Sequence, residues 1–365
     1  MAKNNSNLNR IKIKYTKLAY EQASINLGST GTNPSVGCVV VKNNSVISSG
    51  CTSLNGRPHA ESNALSKKLN FKNSDMYISL EPCSHHGKTL PCTDTIINKK
   101  IKRVIFSVND IDPRSTKKAE RILKKKKIKV KKFLLKNFGK YFYKSYFLQS
   151  SKELPFIDAK IALSKDFFTI DKRQKWITNI KSRKLGNFLR SRYNCLLTTS
   201  KTVNDDNPML DCRVEGLEKK TPTLIILDRF FNIKLNLKIF KLKERKIIVF
   251  VTKSNLKKEI FLKKKGIKII KLIQKKDNYI NLKKIFNKIK ELGFNRILVE
   301  SGGTFISQLL RYRFIKNFYL FQSAKNLRSQ GTNNNNISLI KEIKISQKNK
   351  IKVNLKDDSL YKVKL

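Results

Sequence analysis

The sequence predicts an α/β fold divided into two domains. Short runs rich in Val, Ile and Leu alternate with segments whose apolar residues recur at helical spacing, and this alternation is typical of a mostly parallel sheet covered by helices. The chain has 365 residues, more than one hydrophobic core usually serves, so two domains are expected. We place the first domain at residues 1–148 and the second at residues 149–365.

The first domain is predicted to open with a helix over residues 13–27, where apolar side chains fall on one face. The next segments, CVVVK and SVISSGCT, flank the turn KNNS and predict a hairpin. The remaining segments alternate between helix and strand. In chain order they are helix HAESNALSKK, strand DMYISLEPC, helix DTIINKKI, strand RVIFSV and the segment KKAERILKKKKIKVKKFLL, a helix followed by a strand.

The second domain begins near KELPFIDAKIALS. Its predicted strands are NCLLTT, TLIILD, KIIVFV, KIIKLI and RILVES. Its predicted helices are ITNIKSRKLGNFLRS, NLKKIFNKIKEL and TFISQLLRY. Strands that alternate with helices in this way indicate a mostly parallel sheet with both faces covered.

The net charge of +53, from 79 Lys and Arg against 26 Asp and Glu, allows two interpretations. A basic surface is typical of nucleic-acid binding. However, lysines occur in nearly every segment, and Asn and Ile rise with them, which indicates a compositional bias; we favour this second interpretation. A positive field also attracts phosphorylated metabolites, so the charge does not choose between a nucleic-acid partner and a small-molecule substrate.

The sequence carries no membrane or secretion signal. No apolar run approaches the roughly 18 residues that a membrane-spanning helix needs, and the N-terminal residues lack the apolar segment of a secretory signal. We therefore expect a cytoplasmic protein with no membrane partner, whose six cysteines form no disulfides. Cys38 and Cys195 lie in apolar, strand-like runs and are predicted to be buried, whereas Cys83 and Cys92 lie among potential metal ligands.

A zinc site is predicted from EPCSHHGKTLPC and the preceding RPHAE. His59, Cys83 and Cys92 provide one imidazole and two thiolates, a three-ligand set that leaves a fourth position for water, as in catalytic zinc sites. Zinc lowers the pKa of such a water toward ~7. Glu61 is predicted to be the catalytic residue that moves the proton without binding the metal, as in the H-x-E…P-C signature of zinc deaminases. The two adjacent histidines between the cysteines are not needed as ligands.

Three motifs, TNPSVGCVVV, GRPHAE and EPCSHHGKTLPC, resemble the deaminase half of the bifunctional riboflavin-biosynthesis deaminase–reductase family. Most cytidine and tRNA-adenosine deaminases close the zinc site with P-C-x-x-C, whereas eight residues separate Cys83 and Cys92 here, which looks like the long loop of the riboflavin enzyme. The resemblance implies a cytidine-deaminase-like zinc domain. Its substrate would be a phosphorylated pyrimidine, a diaminopyrimidinone with a phosphoribosylamino group, and Asn33 would contact it.

The second half resembles the reductase half of the same family in DAKIALSKDFFTIDKRQKWIT, NFLRSRYNCLLTTSKTVNDDNPMLDCR and ILVESGGTFISQLL. In the last block a strand runs into a glycine turn and a helix, whose N-terminus suits a phosphate. The resemblance implies a dihydrofolate-reductase-like domain that binds NADPH. Carried over by position, cofactor contacts fall on Ala162, Trp176, Thr202, Asp206, Gly302, Gly303, Thr304, Phe305, Ile306, Ser307 and Gln308. Substrate contacts fall on Gln174, Arg190, Leu210, Arg213 and Glu300.

Several of these residues also have ordinary structural interpretations. Arg190 and Arg213 suit phosphate because a guanidinium forms paired hydrogen bonds with phosphate oxygens, yet each is equally explained as a surface charge in a basic chain. Trp176 is the only tryptophan and packs either in the core or against the nicotinamide. Asp206 lies in NDDNP, which is also a turn sequence. Gln174 stands where the family usually has serine.

Two turns lack the glycine that the family has. The segment DPRSTKKAER contains no glycine where the family has a glycine-containing turn. In the second half, Lys165 replaces a leucine and Phe167 replaces a glycine of the family motif. Glycine permits a positive φ at low cost, and a bulky aromatic residue does not. The second change therefore predicts either a different loop path or a weakened reductase half.

The hypothesis that unites these observations is a two-step enzyme of riboflavin biosynthesis. Zinc-dependent hydrolytic deamination of the phosphorylated pyrimidine is followed by NADPH-dependent reduction of its ribosyl group to ribityl. We expect a homo-oligomer that uses Zn2+ and NADPH and has no specific nucleic-acid partner. Two alternatives remain open: an RNA deaminase with a basic binding domain, favoured by the charge, and a deaminase whose reductase-like half is not catalytic, suggested by Phe167.

Overall fold

The computed structural model describes residues 2–87, 89–242, 244–272, 281–333 and 338–365. The chain forms two compact units, residues 1–151 and 152–365. Within the described residues, no helix has both the length and the apolar character that crossing a membrane requires.

The first unit is built on a five-stranded sheet with the strand order β2-β1-β3-β4-β5. The strands are β1 Gly37–Lys42, β2 Ser45–Cys51, β3 Asp75–Ile78, β4 Arg103–Phe106 and β5 Lys129–Lys132. β1 pairs antiparallel with β2 and β3, whereas β3, β4 and β5 run parallel. Asn43 and Asn44 connect β1 to β2 with φ of 49° and 59°, the left-handed conformation that a tight hairpin turn favours. The predicted hairpin is confirmed.

Six helices accompany this sheet in the described residues: α1 Ala2–Ile25, α2 Ala60–Leu65, α3 Cys92–Asn98, α4 Ala119–Lys125, α5 Lys136–Phe142 and α6 Lys144–Phe147. α1 begins well before the predicted residue 13, since extending a formed helix into polar residues costs little. α2 lies very close to β2, because a Cβ on Gly50 would meet the carbonyl oxygen of Ala60 at 2.4 Å. This glycine therefore sets the position of the first turn of α2, where His59 and Glu61 lie.

The second unit contains an eight-stranded sheet and a two-stranded one. Its strands are β6 Phe156–Leu163, β7 Ile170–Asp171, β8 Cys195–Thr199, β9 Thr223–Asp228, β10 Ile247–Val251, β11 Lys268–Lys271, β12 Arg296–Val299, β13 Asn317–Gln322, β14 Gly331–Thr332 and β15 Ser359–Lys364. The large sheet has the order β11-β10-β9-β8-β12-β6-β13-β15, and β14 pairs with β7. All neighbours in the large sheet are parallel except β13 and β15. The last residue of the predicted strand KIIKLI, Ile273, lies outside the described residues.

Both faces of the large sheet are covered. The described helices of this unit are α7 Ile180–Arg190, α8 Ser200–Asp206, α9 Leu256–Lys264, α10 Leu282–Glu291, α11 Gly303–Arg311 and α12 Ser338–Lys341. The neighbours Leu196 and Leu197 in β8 point to opposite faces, and both are fully buried, in separate apolar clusters. Cys195, beside them, and Cys38 of the first unit are also fully buried, as predicted. The predicted fold class, with a mostly parallel second sheet, is confirmed.

The turn that follows β6 keeps a conformation suited to glycine although it holds an aromatic residue. Phe167 has φ of 65°, a left-handed conformation that costs about 1–2 kcal/mol for a residue with a Cβ. Its ring packs against the buried cluster beneath the sheet, which offsets part of this cost. Asp166, one residue earlier, accepts hydrogen bonds from the backbone N–H groups of Leu327 and Arg328 at 3.0 and 2.8 Å. Phe167 therefore holds a left-handed conformation that glycine would adopt without this cost.

Candidate active sites

The three predicted zinc ligands lie together in the first unit. His59 precedes the first residue of α2, Cys83 lies in the loop after β3, and Cys92 is the first residue of α3. Their ligand atoms all lie within 4.8 Å of one another. The Nδ1 atom of His59 is 3.5 Å from the Sγ of Cys83 and 3.4 Å from the Sγ of Cys92. The ends of three elements thus converge on one point.

The chemistry of this donor set fits zinc. A hydrogen bond with Cys92, followed by one with His59, lowers the pKa of Cys83 to about 4, so this sulfur is ready to bind a metal as a thiolate. The hydrogen bond with Cys83, and then burial, raise the pKa of Cys92, so without a cation Cys92 keeps the proton that it shares with the Cys83 thiolate. One imidazole and two sulfurs within bonding range of one point are typical zinc ligands, and a divalent cation would hold both sulfurs deprotonated.

Glu61 lies beside the three ligands and outside their group. It occupies the first turn of α2 and is 3% exposed. Burial, followed by the charge of Cys83, raises the pKa of its carboxyl to about 7. A carboxyl that is buried next to a metal site and binds protons near neutral pH can both accept and return a proton.

Asn33 lies against the loop that leads to His59. Its side-chain Nδ2 donates to the carbonyl oxygen of Gly56 at 3.2 Å. Gly56 has φ of 91°, and a Cβ there would come within 2.3 Å of the same Nδ2 atom. The glycine therefore makes room for Asn33, which is half-buried beside the chain entering the metal site.

Glu81 holds the loop at residues 110–119, a role that we did not predict from the sequence. Its carboxylate accepts backbone N–H groups from Asp110 at 3.2 Å, Lys117 at 3.0 Å and Ala119 at 3.3 Å. Glu81 is 3% exposed, so these hydrogen bonds are shielded from water. Only its place before Pro82 and Cys83 in the motif could have drawn attention to it.

Ser115 connects this loop to the segment between the ligand cysteines. Its Oγ accepts the backbone N–H of Ser84 at 3.1 Å and lies 2.7 Å from the Nδ1 of His85. His86 instead lies 3.8 Å from Asp94 at the surface. Neither histidine belongs to the group of metal-ligand atoms. His85 is therefore held by the loop at residues 110–119.

In the same loop, which contains no glycine, a lysine adopts the left-handed conformation. Lys117 has φ of 59°, within the left-handed region, and its side chain is exposed. The backbone N–H of Lys117 donates a hydrogen bond to the carboxylate of Glu81. The turn thus keeps a glycine-like conformation, at the conformational cost of a residue with a Cβ.

In the second unit, Glu300 is the centre of a buried ion-pair network at the end of β12. Its carboxylate pairs with Arg190 at 2.6 Å and with Lys160 at 3.5 Å. Burial alone would raise the pKa of Glu300, but the two cations, Arg190 first, lower it to about 2. Arg190 also donates from Nη1 to Asn187 and to the carbonyl oxygen of Asp211, both at 2.9 Å.

The two predicted phosphate-binding arginines differ in how accessible their guanidinium groups are. The Nε, Nη1 and Nη2 atoms of Arg190 all donate to protein acceptors, and its side chain is 11% exposed. Arg213 is 56% exposed and pairs only at its Nε, 3.1 Å from Asp211, among the described ion pairs. Arg213 has the more accessible guanidinium of the two.

Hydroxyl groups gather where β8 and β12 end. The Oγ atoms of Thr199, Thr202 and Ser301 lie 3.1 Å from one another. The backbone N–H of Gly302, which precedes α11, donates to Thr202 at 3.2 Å. This places the predicted Thr202 and the start of the predicted glycine-rich run side by side. Within α11 that run is not uniform: Gly303, Ile306 and Ser307 are buried, Thr304 is exposed, and Phe305 and Gln308 are partly exposed.

The remaining predicted contacts lie partly at the surface. Trp176 is 53% exposed, with the guanidinium of Arg183 4.7 Å from its ring centroid, so it does not pack in the core. Gln174 is exposed and donates to Asp171 at 2.9 Å. Asp206, at the end of α8, has a pKa raised by burial and then by Asp205. Ala162 is half-buried in β6.

Arg245 is a second residue that we did not predict. It donates to the carbonyl oxygens of Met209 and Leu210, both at 2.6 Å. Burial and then the nearby Arg190 lower its pKa to about 10. Leu210, a predicted substrate contact, is buried and has φ of 54°. Arg245 thus stabilises an unusual backbone at this predicted site.

Comparisons with known proteins match both halves of the chain. The family model described as the cytidine and deoxycytidylate deaminase zinc-binding region matches residues 10–108, and the model of the RibD C-terminal domain matches residues 155–334. The riboflavin biosynthesis protein RibD of Aquifex aeolicus is 34% identical over 87% of this chain and 88% of its own length. The chain belongs to the RibD family.

Further relatives agree with this assignment. RibD of Bacillus amyloliquefaciens is 31% identical over 80% of this chain and 78% of its own. A solved Thermotoga maritima protein, described as a diaminohydroxyphosphoribosylaminopyrimidine deaminase and 5-amino-6-(5-phosphoribosylamino)uracil reductase, is 26% identical, with a TM-score of 0.80 over 98% of this chain and 99% of that one. Acinetobacter baumannii RibD, 24% identical with a TM-score of 0.81 over 98% and 99% of the two chains, has the same fold.

As a RibD protein, the chain is a bifunctional enzyme of riboflavin biosynthesis, with a zinc-dependent deaminase and an NADPH-dependent reductase. This confirms the predicted family, enzyme class and cofactors. The roles of individual residues stay predictions, because similarity over whole domains does not test them.

We expect Lys117→Gly to stabilise the first unit by about 0.5 kcal/mol, because glycine relieves the left-handed strain and loses only part of that gain to backbone entropy. Lys118→Gly is the matched control, because Lys118 has φ of −93° and should lose about 0.5–1 kcal/mol. Unfolding in urea, with the release of zinc to a coloured chelator as the signal, measures the free energy of unfolding of both variants. Equal destabilisation by the two variants would contradict the interpretation.

We expect Glu300→Gln to lower the free energy of unfolding of the second unit by about 3–5 kcal/mol, because Arg190 and Lys160 lose their buried counter-charge. The folded-state pKa of Glu300 is depressed to about 2. Its contribution is therefore present above the ordinary glutamate pKa of ~4.3 and is lost as pH falls toward 2. Unfolding followed by the single tryptophan should show this acid-dependent loss in the parent chain and a flatter profile in the variant.

Glu291→Gln provides the control for this experiment. Glu291 is 63% exposed and pairs with Lys288 at 2.9 Å, and such surface pairs contribute little. If Glu300→Gln behaved like Glu291→Gln, the buried network would not stabilise the unit.

Proposed function

We propose that residues 1–148 deaminate a phosphorylated diaminopyrimidinone and that residues 149–365 reduce the product. In the first step water replaces the ring amino group, ammonia leaves, and a uracil with a phosphoribosylamino group results. In the second step the ring-opened ribosyl chain, as an aldehyde or imine, takes a hydride from NADPH and a proton from water and becomes ribityl. The observation that carries the proposal is the convergence of His59, Cys83 and Cys92 beside the buried Glu61.

In the deaminase, His59, Cys83 and Cys92 would hold the zinc. Zinc supplies a Lewis acid that lowers the pKa of water. Glu61 would move two protons in turn: its carboxylate takes the first from the attacking water and gives it to the ring nitrogen, and it then takes the second from the added hydroxyl and gives it to the amine, which leaves as ammonia. Burial and the pKa near 7 suit both directions of transfer. Asn33 is proposed to contact the pyrimidine from the loop that precedes His59.

In the reductase, the exposed Arg213 is the proposed phosphate contact, supported by its accessible guanidinium. Arg190 and Glu300 act as a paired unit with Lys160 and are proposed to present a preorganised polar surface to the substrate. The other proposed substrate contacts are Gln174 and Leu210. The proposed cofactor contacts are Ala162, Trp176, Thr202, Asp206 and the run from Gly302 to Gln308.

We further propose that the protein acts in the cytoplasm as a homo-oligomer without a specific nucleic-acid partner. The absence of a specific nucleic-acid partner is supported by the lysines, the main source of the charge of +53, because they are distributed over the whole sequence and do not form one basic element. A field of this kind concentrates phosphorylated metabolites near the protein without selecting one of them.

Glu61→Gln should retain zinc and lose deamination by about 100-fold or more, since the glutamate moves protons and does not bind the metal. Metal analysis beside an ammonia-release assay measures both properties. His59→Ala is the contrasting variant, because removing a ligand should lower the zinc content and destabilise the first unit. Normal deamination by Glu61→Gln would contradict the assignment.

NADPH should quench the emission of Trp176, because the exposed indole lies where the cofactor is proposed to bind and no other tryptophan contributes. Trp176→Phe should raise the KM for NADPH in the reduction of the deaminated substrate, with the zinc content unchanged. Unchanged emission under conditions where NADPH is oxidised would place the cofactor elsewhere. No oxidation at all, while deamination proceeds, would favour the alternative of a non-catalytic second half.

A further inference from the structure

Arg57 bridges two loops of the metal site. It lies two residues before His59, and its Nη1 donates to the Oγ1 of Thr89 at 2.6 Å. Thr89 belongs to the segment between Cys83 and Cys92. A Cβ on Gly87 in the same segment would lie 3.7 Å from the Nη2 of Arg57 and 3.8 Å from the Nε2 of His85. The guanidinium therefore lies at the border of the loop that joins two of the proposed zinc ligands.

Within the described residues, the charge of Arg57 is not neutralised by a carboxylate. Arg103 and Arg114 in the same unit pair with Asp75 at 3.1 Å and with Asp112 at 2.6 Å. Arg57 makes no ion pair among the described residues, although it is half-buried. A guanidinium with one nitrogen donating to a hydroxyl keeps donors for an anionic ligand.

We propose that Arg57 makes the deaminase site selective for phosphorylated substrates: Nη1 holds Thr89 in place, and the remaining N–H groups of the guanidinium bind the phosphate. This inference rests on the proposed deaminase function and adds a recognition residue to it. A planar guanidinium suits phosphate oxygens because it offers several donors in a rigid arrangement. The diffuse positive field cannot provide such selectivity, since it attracts every phosphorylated metabolite.

The test compares the phosphorylated pyrimidine with its dephosphorylated form in the full-length enzyme. Arg57→Ala should raise the KM for the phosphorylated substrate by about 10- to 100-fold more than the KM for the dephosphorylated form, the effect of one charge-assisted interaction. With the dephosphorylated form it should lose only what Thr89→Val loses, because both variants remove the hydrogen bond between Arg57 and Thr89. Arg57→Lys should recover part of the loss, because it keeps the charge without the planar donor group.

Two control variants separate local recognition from other effects. Thr89→Val removes the hydrogen bond between the loops and keeps the cation, so any loss should be the same for both substrates. Lys102→Ala removes an exposed positive charge just before β4, at the opposite end of the strands from the loop that carries Cys83, and should not alter discrimination. Reduction of the deaminated product should be the same in all these variants.

The outcomes of these kinetic comparisons test the role of Arg57 separately from the deaminase proposal. An unchanged KM for the phosphorylated substrate, or an equal loss with both substrates, would overturn the inference. A loss of discrimination in Lys102→Ala as large as that in Arg57→Ala would do so too, because the general field would then explain it. Failure of the deaminase proposal itself would appear instead as absent deamination by the unmodified chain that binds zinc.

Discussion

The deaminase half depends on one constraint: three element ends must meet at a single point. His59 before α2, Cys83 after β3 and Cys92 at the start of α3 come within 4.8 Å of one another. No single motif imposes this meeting. Gly50 lets α2, which His59 precedes, lie close to β2, and the loop that follows β3 carries Cys83. Because zinc requires its ligands within a few tenths of an ångström, the packing of this sheet is part of the metal chemistry.

A similar dependence holds in the second unit, where a buried carboxylate organises cations from distant parts of the chain. Glu300 follows β12, Lys160 lies in β6 and Arg190 ends α7. Such a network contributes little net stability compared with an apolar core, but removing one member strongly destabilises the folded state. In the reductase site that we propose, this network would hold the predicted substrate contacts Arg190 and Glu300 rigidly, and positioning is what a reductase needs from its protein.

The sequence was sufficient to predict features that are encoded locally, but it did not predict contacts between residues far apart in the chain. Strand and helix alternation predicted the fold, and the spacing of His59, Cys83 and Cys92 predicted a zinc-ligand set that the structure brings together. Glu81 and Arg245 were missed because their partners are backbone groups at residues 110–119 and 209–210, which carry no side-chain signature. The sequence also showed where glycine was missing, but it could not show that Phe167 and Lys117 would adopt positive φ, since tertiary contacts decide whether a strained turn persists.

A lysine-rich chain makes the remaining arginines informative. Lysine offers a compact charge, whereas arginine forms several hydrogen bonds in a plane, so a bias toward lysine should spare arginine where that geometry is needed. Arg190 binds both oxygens of Glu300, Arg245 binds two carbonyl oxygens, and Arg57 bridges to Thr89. Arg190 and Arg245 make multidentate contacts that lysine cannot reproduce, whereas Arg57 makes one hydrogen bond and keeps further donors. In sequences of this composition, an arginine beside a motif is therefore a stronger functional signal than a cluster of lysines.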